Sequence, residues 1–258
     1  MKVISFNANG IRASARKGFF AWFEQQNADF LCLQETKAQL RQLEGDPVYF
    51  PSGYHYGYTD AVKKGYSGVA IYARQAPKKI IRTLGIDWAD KEGRYIQFDY
   101  EKLSIASIYI PSGSSGDERQ ALKMDFLEKY KMILTRQMEE KRSFILCGDI
   151  NIVHKEIDIK NWKQNQKHSG VLPEERAWLD DIFDKLGWVD AFRVINAAPL
   201  EYTWWSQRGQ ARAKNVGWRI DYQIVTPDMK PCIYSESIYK AQNFSDHAPL
   251  TIAYHYKL

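Results

Sequence analysis

Four apolar runs of strand length in this chain each stop at a short polar cluster, and that pattern limits what the chain can fold into. The clusters are Asn7 in VISFNANG, Glu35 in FLCLQETK, Asp149 and Asn151 in FILCGDIN, and Asp246 and His247 in FSDHAPL. Near-continuous apolar strands belong in a buried sheet. A polar group at the end of such a strand then sits at the mouth of the sheet, facing solvent or ligand. Carboxylates, carboxamides and one imidazole converging from four distant segments make a ligand set for a hard divalent cation. In phosphoryl chemistry such a cation also holds phosphate oxygens. The pattern points to metal-dependent hydrolysis of a phosphodiester.

A chain of 258 residues with 45% hydrophobic content buries a large core, and one catalytic domain over residues 1–258 is expected. No apolar stretch approaches the ~20 residues that span a bilayer, so no membrane partner is expected. The opening MKVISFNANG is too short and too polar for a secretory apolar region and reads as a strand. Cys32, Cys147 and Cys232 lie among apolar neighbours without metal-ligand spacing, as reduced thiols of a cytoplasmic protein do.

The net charge of +5 favours a polyanionic partner, and its distribution says more than its size. Segment Tyr202–Ile220 carries Arg208, Arg212, Lys214 and Arg219 without an acid, interleaved with Trp204, Trp205 and Trp218. Basic side chains suit phosphates, and aromatic ones suit bases or sugars.

Strands are predicted at Val3–Asn7, Phe30–Gln34, His55–Thr59, Gly68–Ala73, Lys79–Thr83, Arg94–Tyr100 and Ser104–Ile110. Later strands are predicted at Phe144–Cys147, Thr203–Trp205, Arg219–Val225, Ile233–Ile238 and Pro249–Tyr256. The turn at Glu101-Lys102 reads as a hairpin, so the sheets are mixed. Helices are predicted at Lys17–Gln25, Asp117–Glu140 and Pro173–Leu186. The second opens on Ser115-x-x-Glu118, a capping-box pattern, with its charges on the solvated face. The third has Pro173 at its start and Gly187 just past its end. Strand-rich halves, each with long helices, imply an α/β fold: two packed sheets with helices outside and the chemistry along one edge.

At these clusters the sequence resembles the exonuclease III family of class II apurinic/apyrimidinic endonucleases, within the wider endonuclease–exonuclease–phosphatase superfamily. The resemblance covers nearly the whole chain, through NANGIRA, LCLQETK, GYSGVAIYAR, EGRYIQ, YIPSGSSG, LCGDINIVHKEIDIKN, LPEERAW, YTWWS, NVGWRIDYQIV and SDHAPL in order. It implies a four-layered α/β sandwich of two mixed β-sheets flanked by helices. It also implies cleavage of the phosphodiester 5′ to an abasic site in double-stranded DNA, leaving a 3′-hydroxyl, with Mg2+ as cofactor and Mn2+ as a substitute. Exonuclease and phosphatase action on blocked 3′ ends would accompany it, in a monomeric, nucleoid-associated enzyme of the cytoplasm.

By the same resemblance, Glu35 is the principal metal ligand, assisted by Asn7 and Asp246, with Asp149, Asn151 and His247 completing the metal site. Asp149 activates or orients the attacking water, and Asn151 donates to the phosphate. Residues two apart in extended chain share a side, so both are expected to face one phosphorus. His247 contacts a phosphate oxygen while Asp221 holds its far nitrogen, which fixes the tautomer and favours the cation. Whether Asp149 or His247 is the base stays open at this point. Tyr109 aims its hydroxyl at the same phosphate, and Arg94 supports Tyr109 or a neighbouring phosphate. Trp204, Trp218 and Ile220 line a pocket that admits a baseless deoxyribose and excludes a nucleotide by size.

Several positions depart from the family pattern. Ser112 and Ser115 stand where some members carry Asn and Arg, and Arg208 stands where some carry an apolar wedge. His168 stands where many carry Asn, on a loop expected to overhang the catalytic mouth. If it enters the pocket, it would crowd the sugar and shift activity toward 3′-end processing, the alternative to abasic-site cleavage. The expected activity stays abasic-site cleavage, because Trp204, Trp218 and Ile220 still supply the pocket. With Arg208, Arg212 and Lys214 as the phosphate contacts, DNA affinity falls steeply with salt. Each lost contact should flatten log K against log[salt] by roughly 0.9. Titration of a triple alanine variant measures this, and an unchanged slope would place the footprint elsewhere.

Overall fold

The alternation of side chains along the apolar runs decides the layering. In this computed structural model, which describes residues 1–258, every strand predicted above forms, but Asp246 and His247 do not end one: they lie in the loop that leads into the strand Leu250–Tyr254. In chain order, β1 (Lys2–Asn7), β2 (Phe30–Gln34), β3 (His55–Thr59) and β4 (Val69–Ala73) begin the first sheet. The second takes β5 (Lys79–Ile81), β6 (Tyr95–Asp99), β7 (Leu103–Tyr109), β8 (Ser143–Asp149) and β9 (Val189–Asp190). A ribbon of β10 (Trp204–Trp205) and β11 (Gly217–Trp218) follows. Then β12 (Asp221–Val225) returns to the second sheet, and β13 (Ile233–Ile238) and β14 (Leu250–Tyr254) complete the first. The spatial orders are β13-β14-β1-β2-β4-β3 and β5-β6-β7-β8-β12-β9. Both sheets are mixed, because β1–β2 and β7–β8 pair parallel within otherwise antiparallel ladders.

Alternate residues of each strand supply different cores. Phe30 and Cys32 of β2 face Ile105 of β7 and Ile145 and Cys147 of β8 between the sheets. Leu31 and Leu33 point the other way. The helices are α1 (Ile11–Arg16), α2 (Phe19–Gln26), α3 (Asp87–Lys91), α4 (Asp117–Glu139), α5 (Trp162–Asn165), α6 (Pro173–Asp180) and α7 (Ala191–Ile195). Leu31 and Leu33 pack on Phe19, Phe20 and Phe23 of α2. On the far side, Phe144 and Leu146 pack on Phe126 and Tyr130 of α4 and Trp178 of α6. The result is the four-layered sandwich, helices outside two sheets. A large apolar side chain fully buried in these cores contributes roughly 1.5–3 kcal/mol, so apolar packing leaves the sheet edge free to carry polar groups. No helix is long and apolar enough to cross a membrane.

Some expectations are corrected. The second helix starts at Asp117 with Gly116 as its cap and no side-chain capping bond, so Ser115 lies outside the cap position. Acidic Asp117 and Glu118 in the first turn complement the helix dipole instead. One charge of α4 is not on the solvated face: Lys123 is fully buried against Glu175 of α6. The third helix is α only to Asp180 and continues as a π turn, Asp181–Lys185. Strand β8 runs two residues beyond Cys147, to Asp149. Helix α1 and strands β9 and β11, six, two and two residues long, are too short to show a period.

Arg219 is also corrected, since it is 1% exposed and leaves the basic surface. It donates to both oxygens of Asp158 at 2.7 and 3.2 Å and to Asp190 at 2.7 Å, and Arg193 joins Asp158 at 2.6 Å. Burial alone would raise the Asp158 pKa, but Arg219 and then Arg193 outweigh it and hold it at about 2. A carboxyl depressed from 3.8 to about 2 adds stability that is complete above pH 4 and lost as pH falls toward 2. We expect Asp158→Asn to lose about 2 kcal/mol or more at pH 7, with about half of the pH-linked part gone by pH 3. Urea unfolding at both pH values checks this, and a pH-independent difference would contradict it.

Candidate active site

The strand ends meet where the two sheets abut. Asn7 ends β1, and its Nδ2 donates to Asp149 Oδ2 at 2.8 Å, across the sheet interface, and to Glu35 Oε2 at 3.0 Å. Its Oδ1 accepts the backbone N–H of Asn9 at 2.9 Å. Asp149 ends β8, directly opposite Asp221 in the antiparallel ladder with β12. Like charges in that position repel, and His247 lies against both. Its Nδ1 is 2.8 Å from Asp221 Oδ2, and its Nε2 is 3.8 Å from Asp149 Oδ2. An antiparallel backbone bridge between His247 and Trp204 ties this loop to the ribbon.

Gly148 makes this juxtaposition possible. It lies inside β8 and not in a turn, and a Cβ there would come within 2.4 Å of the Ile108 carbonyl oxygen on β7. Asn151 lies past the strand with φ 54°, so it shares the mouth with Asp149 through a left-handed turn, not through strand alternation. Its N–H bonds Asp149 Oδ1 at 2.9 Å and its Nδ2 donates to the Ile110 carbonyl at 2.9 Å. Left-handed backbone recurs around the mouth, at Asn9 (φ 42°), Glu35 (φ 53°) and Lys37 (φ 50°). Such conformations cost free energy outside glycine and cluster at functional sites.

The electrostatics are unbalanced. Burial alone pushes the Asp149 pKa up; Asp221 and Glu35 add to it, and His247 opposes without cancelling them. Burial alone would lower His247, but Asp221 and then Asp149 raise it to about 10, so the imidazolium prevails at neutral pH. Asp246 is lower than usual despite burial, because of His247 and hydrogen bonds from Asn9, Ser245 and Trp204. Tyr109 is pushed well up by burial, then by Glu35 and Asp149, so its phenol stays protonated.

A cavity of about 310 Å³ opens over these groups. Tyr109, Asp149, Asn151, His247, Glu35 and Asp246 line it together with Trp204, Trp218 and Ile220. The two indoles meet edge to face at 5.4 Å. Asp221 and Arg94 stand behind the wall. Arg94 is 2% exposed, donates to the Tyr109 carbonyl at 2.8 Å and stacks on the Tyr109 ring at 4.7 Å, so it supports Tyr109 from behind. A larger cleft of about 680 Å³ lies among Asp158, Asp190, Arg193 and Arg219, but its acids are already paired.

Four expected DNA contacts lie outside the cavity. Arg208 and Lys214 are exposed, and Arg212 is half-buried, stacked on Trp205 at 4.6 Å and donating to the Ser245 carbonyl. His168 is exposed; its neighbour Ser169 is the residue of that loop that reaches the cavity. Asn9, Lys37, Ser114 and Ser169 also line the cavity and were not singled out in the sequence. For Asn9 and Lys37 a signal existed. The spacing of two in Asp149–Asn151 recurs in Asn7–Asn9 and Glu35–Lys37.

Two carboxylates suit an oxygen-seeking cation, with an imidazole beside them. Glu35, Asp149 and His247 can each present one ligand atom, all within 4.8 Å of one another. Asp221 Oδ1, buried beside them, has no hydrogen-bond partner. A mouth at the edge of two packed sheets, with clustered carboxylates, a charged imidazole and a phenol, defines a hydrolase site of the metal-assisted class. The chain belongs to the endonuclease/exonuclease/phosphatase family, whose pattern matches residues 4–247. It is 39% identical to an exodeoxyribonuclease of Bacillus subtilis over 255 residues, 98% of each chain. It is 35% identical to a DNA-(apurinic or apyrimidinic site) endonuclease of Dictyostelium discoideum, covering 98% of this chain and 70% of that one. The solved AP endonuclease of Archaeoglobus fulgidus superposes with a TM-score of 0.90 at 26% identity, over 99% of this chain and all of that one.

Proposed function

We propose that this chain is a DNA-repair nuclease that hydrolyses the phosphodiester 5′ to an abasic site, leaving a 3′-hydroxyl. Removal of nucleotides and phosphates from 3′ ends is its secondary activity. The observation that carries this reading is one 310 Å³ cavity lined both by the catalytic groups and by the apolar recess of Trp204, Trp218 and Ile220. The recess offers apolar faces to a flipped-out sugar that lacks its base.

The donor set fits Mg2+, or Mn2+ in its place. Glu35 and Asp149 would hold it, with His247 and Asn151 beside them, Asp246 bordering the site and Asn7 fixing the two carboxylates. Such an ion supplies positive charge at the phosphate and acidifies water. The protein's own groups divide the remaining work. His247 is held protonated by Asp221 and donates to a non-bridging phosphate oxygen. An imidazolium cannot act as base, so Asp149, whose pKa is raised toward neutrality, takes the proton from water attacking in line. The second amide hydrogen of Asn151 and the Tyr109 phenol donate to the same phosphoryl group. Charge thus develops among donors already in place. Arg208, Arg212 and Lys214 hold the flanking phosphates outside the cavity, and the exposed His168 leaves the sugar recess open.

A duplex with one abasic site, and a nicked duplex with a blocked 3′ end, test the reading directly. Both should be cleaved in magnesium and spared in EDTA, the abasic duplex with the higher kcat/KM. Faster turnover of the blocked end would make the protein a 3′-end processor. Glu35→Ala should abolish hydrolysis and leave DNA affinity largely intact. Near-normal turnover of that variant in saturating magnesium would remove Glu35 from the metal site. Asp149→Asn keeps the shape of the side chain and should lower kcat by roughly 10²–10⁴-fold. Retention of more than about a tenth of the rate would assign the base elsewhere.

A further inference from the structure

Lys123 and Glu175 form an ion pair with both side chains fully buried, Nζ to Oε1 2.6 Å, on helices α4 and α6 behind the catalytic mouth. Neither lines the cavity. Buried ion pairs add little net stability over apolar packing, so their geometry is the informative part. The same ammonium donates to the backbone carbonyl of Asn151 at 2.8 Å. The other carboxylate oxygen accepts the N–H of Gly170 at 2.6 Å and of Leu172 at 3.1 Å. Gly170 in turn sits so close that a Cβ on it would lie 3.0 Å from the Trp218 ring and 3.1 Å from the Asn151 carbonyl.

Asn151 occupies a left-handed conformation, which persists only where surrounding contacts over-determine it. We propose that Lys123 and Glu175 are positioning residues for the reaction, a clamp that holds Asn151 left-handed and seats the Ser169–Gly170 loop against Trp218. The clamp thereby links the phosphate side of the cavity to the sugar side. The inference rests on the function proposed above.

The test is Lys123→Met/Glu175→Gln, which removes the ammonium while leaving an acceptor for the loop and no unpaired charge. On the abasic duplex, kcat should fall about 10²-fold while KM stays within about threefold. Lys123→Arg, which keeps the charge and the reach, should retain most of the rate. A crystal structure of the double variant should show Asn151 out of the left-handed region or the loop withdrawn from Trp218. Unchanged kcat with an unchanged Asn151 φ overturns the proposal, and so does a fall in kcat that Lys123→Arg shares in full. If the double variant does not fold, Glu175→Gln alone should lower kcat about tenfold at constant KM, and an unaltered kcat overturns the clamp. If the native protein cleaves no DNA substrate, the proposed function fails, and the crystal structure of the variant still decides the clamp.

Discussion

One hydrogen bond, from Asn7 Nδ2 to Asp149 Oδ2, spans the two sheets at the point where their apolar packing ends. Below it, Phe30, Cys32, Ile105 and Ile145 exclude water. Above it the cavity is open. The bond thus joins a dry interior to a wet mouth, and the same amide group reaches Glu35. Two carboxylates from different sheets are held together by one neutral donor, a geometry that no single sheet could supply. In the low dielectric beside the core, their repulsion is a standing cost. Lys37, 2.8 Å from Glu35, and His247, 3.8 Å from Asp149, relieve part of it, and a cation or a proton between the two carboxylates would relieve more.

That imbalance distinguishes the mouth from the other charged cluster. Around Asp158 every carboxylate faces an arginine, and its pKa is depressed as an ion pair requires. Around Asp149 the carboxylates outnumber the cations, and its pKa moves the opposite way. The first arrangement is closed and holds the ribbon end that carries Trp218 and Ile220. The second is poised to exchange protons and to bind positive charge. Cavity size alone would have favoured the wrong cluster, since the larger cleft lies over the neutralised one.

Four of the ten non-glycine residues with left-handed angles, Asn9, Glu35, Lys37 and Asn151, border the catalytic cavity. Their support comes from backbone bonds, such as Gly10 N–H to the Glu35 carbonyl at 2.8 Å, and from buried side chains: Asn7 accepts from Asn9 N–H, Asp149 from Asn151 N–H, and Lys123 donates to the Asn151 carbonyl. Free energy from the three apolar cores sustains these conformations at the edge. Stability and function therefore occupy different parts of the same two sheets, their packed faces and their edge.

What the sequence determined by itself is the strand system and the identity of the polar groups at its edge. Alternating apolar runs are local, so β2, β3 and β13 fall at their expected bounds and the hairpin at Glu101-Lys102 forms as read. The family motifs name Glu35, Asp149, Asp221 and His247, and the fold gathers all four. Other features rest on contacts between residues far apart in sequence, which no local pattern records. Arg219 looks like a surface cation until Asp158, 61 positions away, encloses it. Lys123 looks like one more solvated charge on an amphipathic helix until Glu175, 52 positions on, meets it in the core. His168 and Ser169 are adjacent, yet only packing against the mouth decides which of them faces the cavity. Local periodicity specifies which face of a strand or helix is apolar. Which charges are buried in pairs, and which backbone is held under strain, depends on tertiary contacts, because only these can offset the cost of desolvating a charge or twisting a residue out of its preferred region.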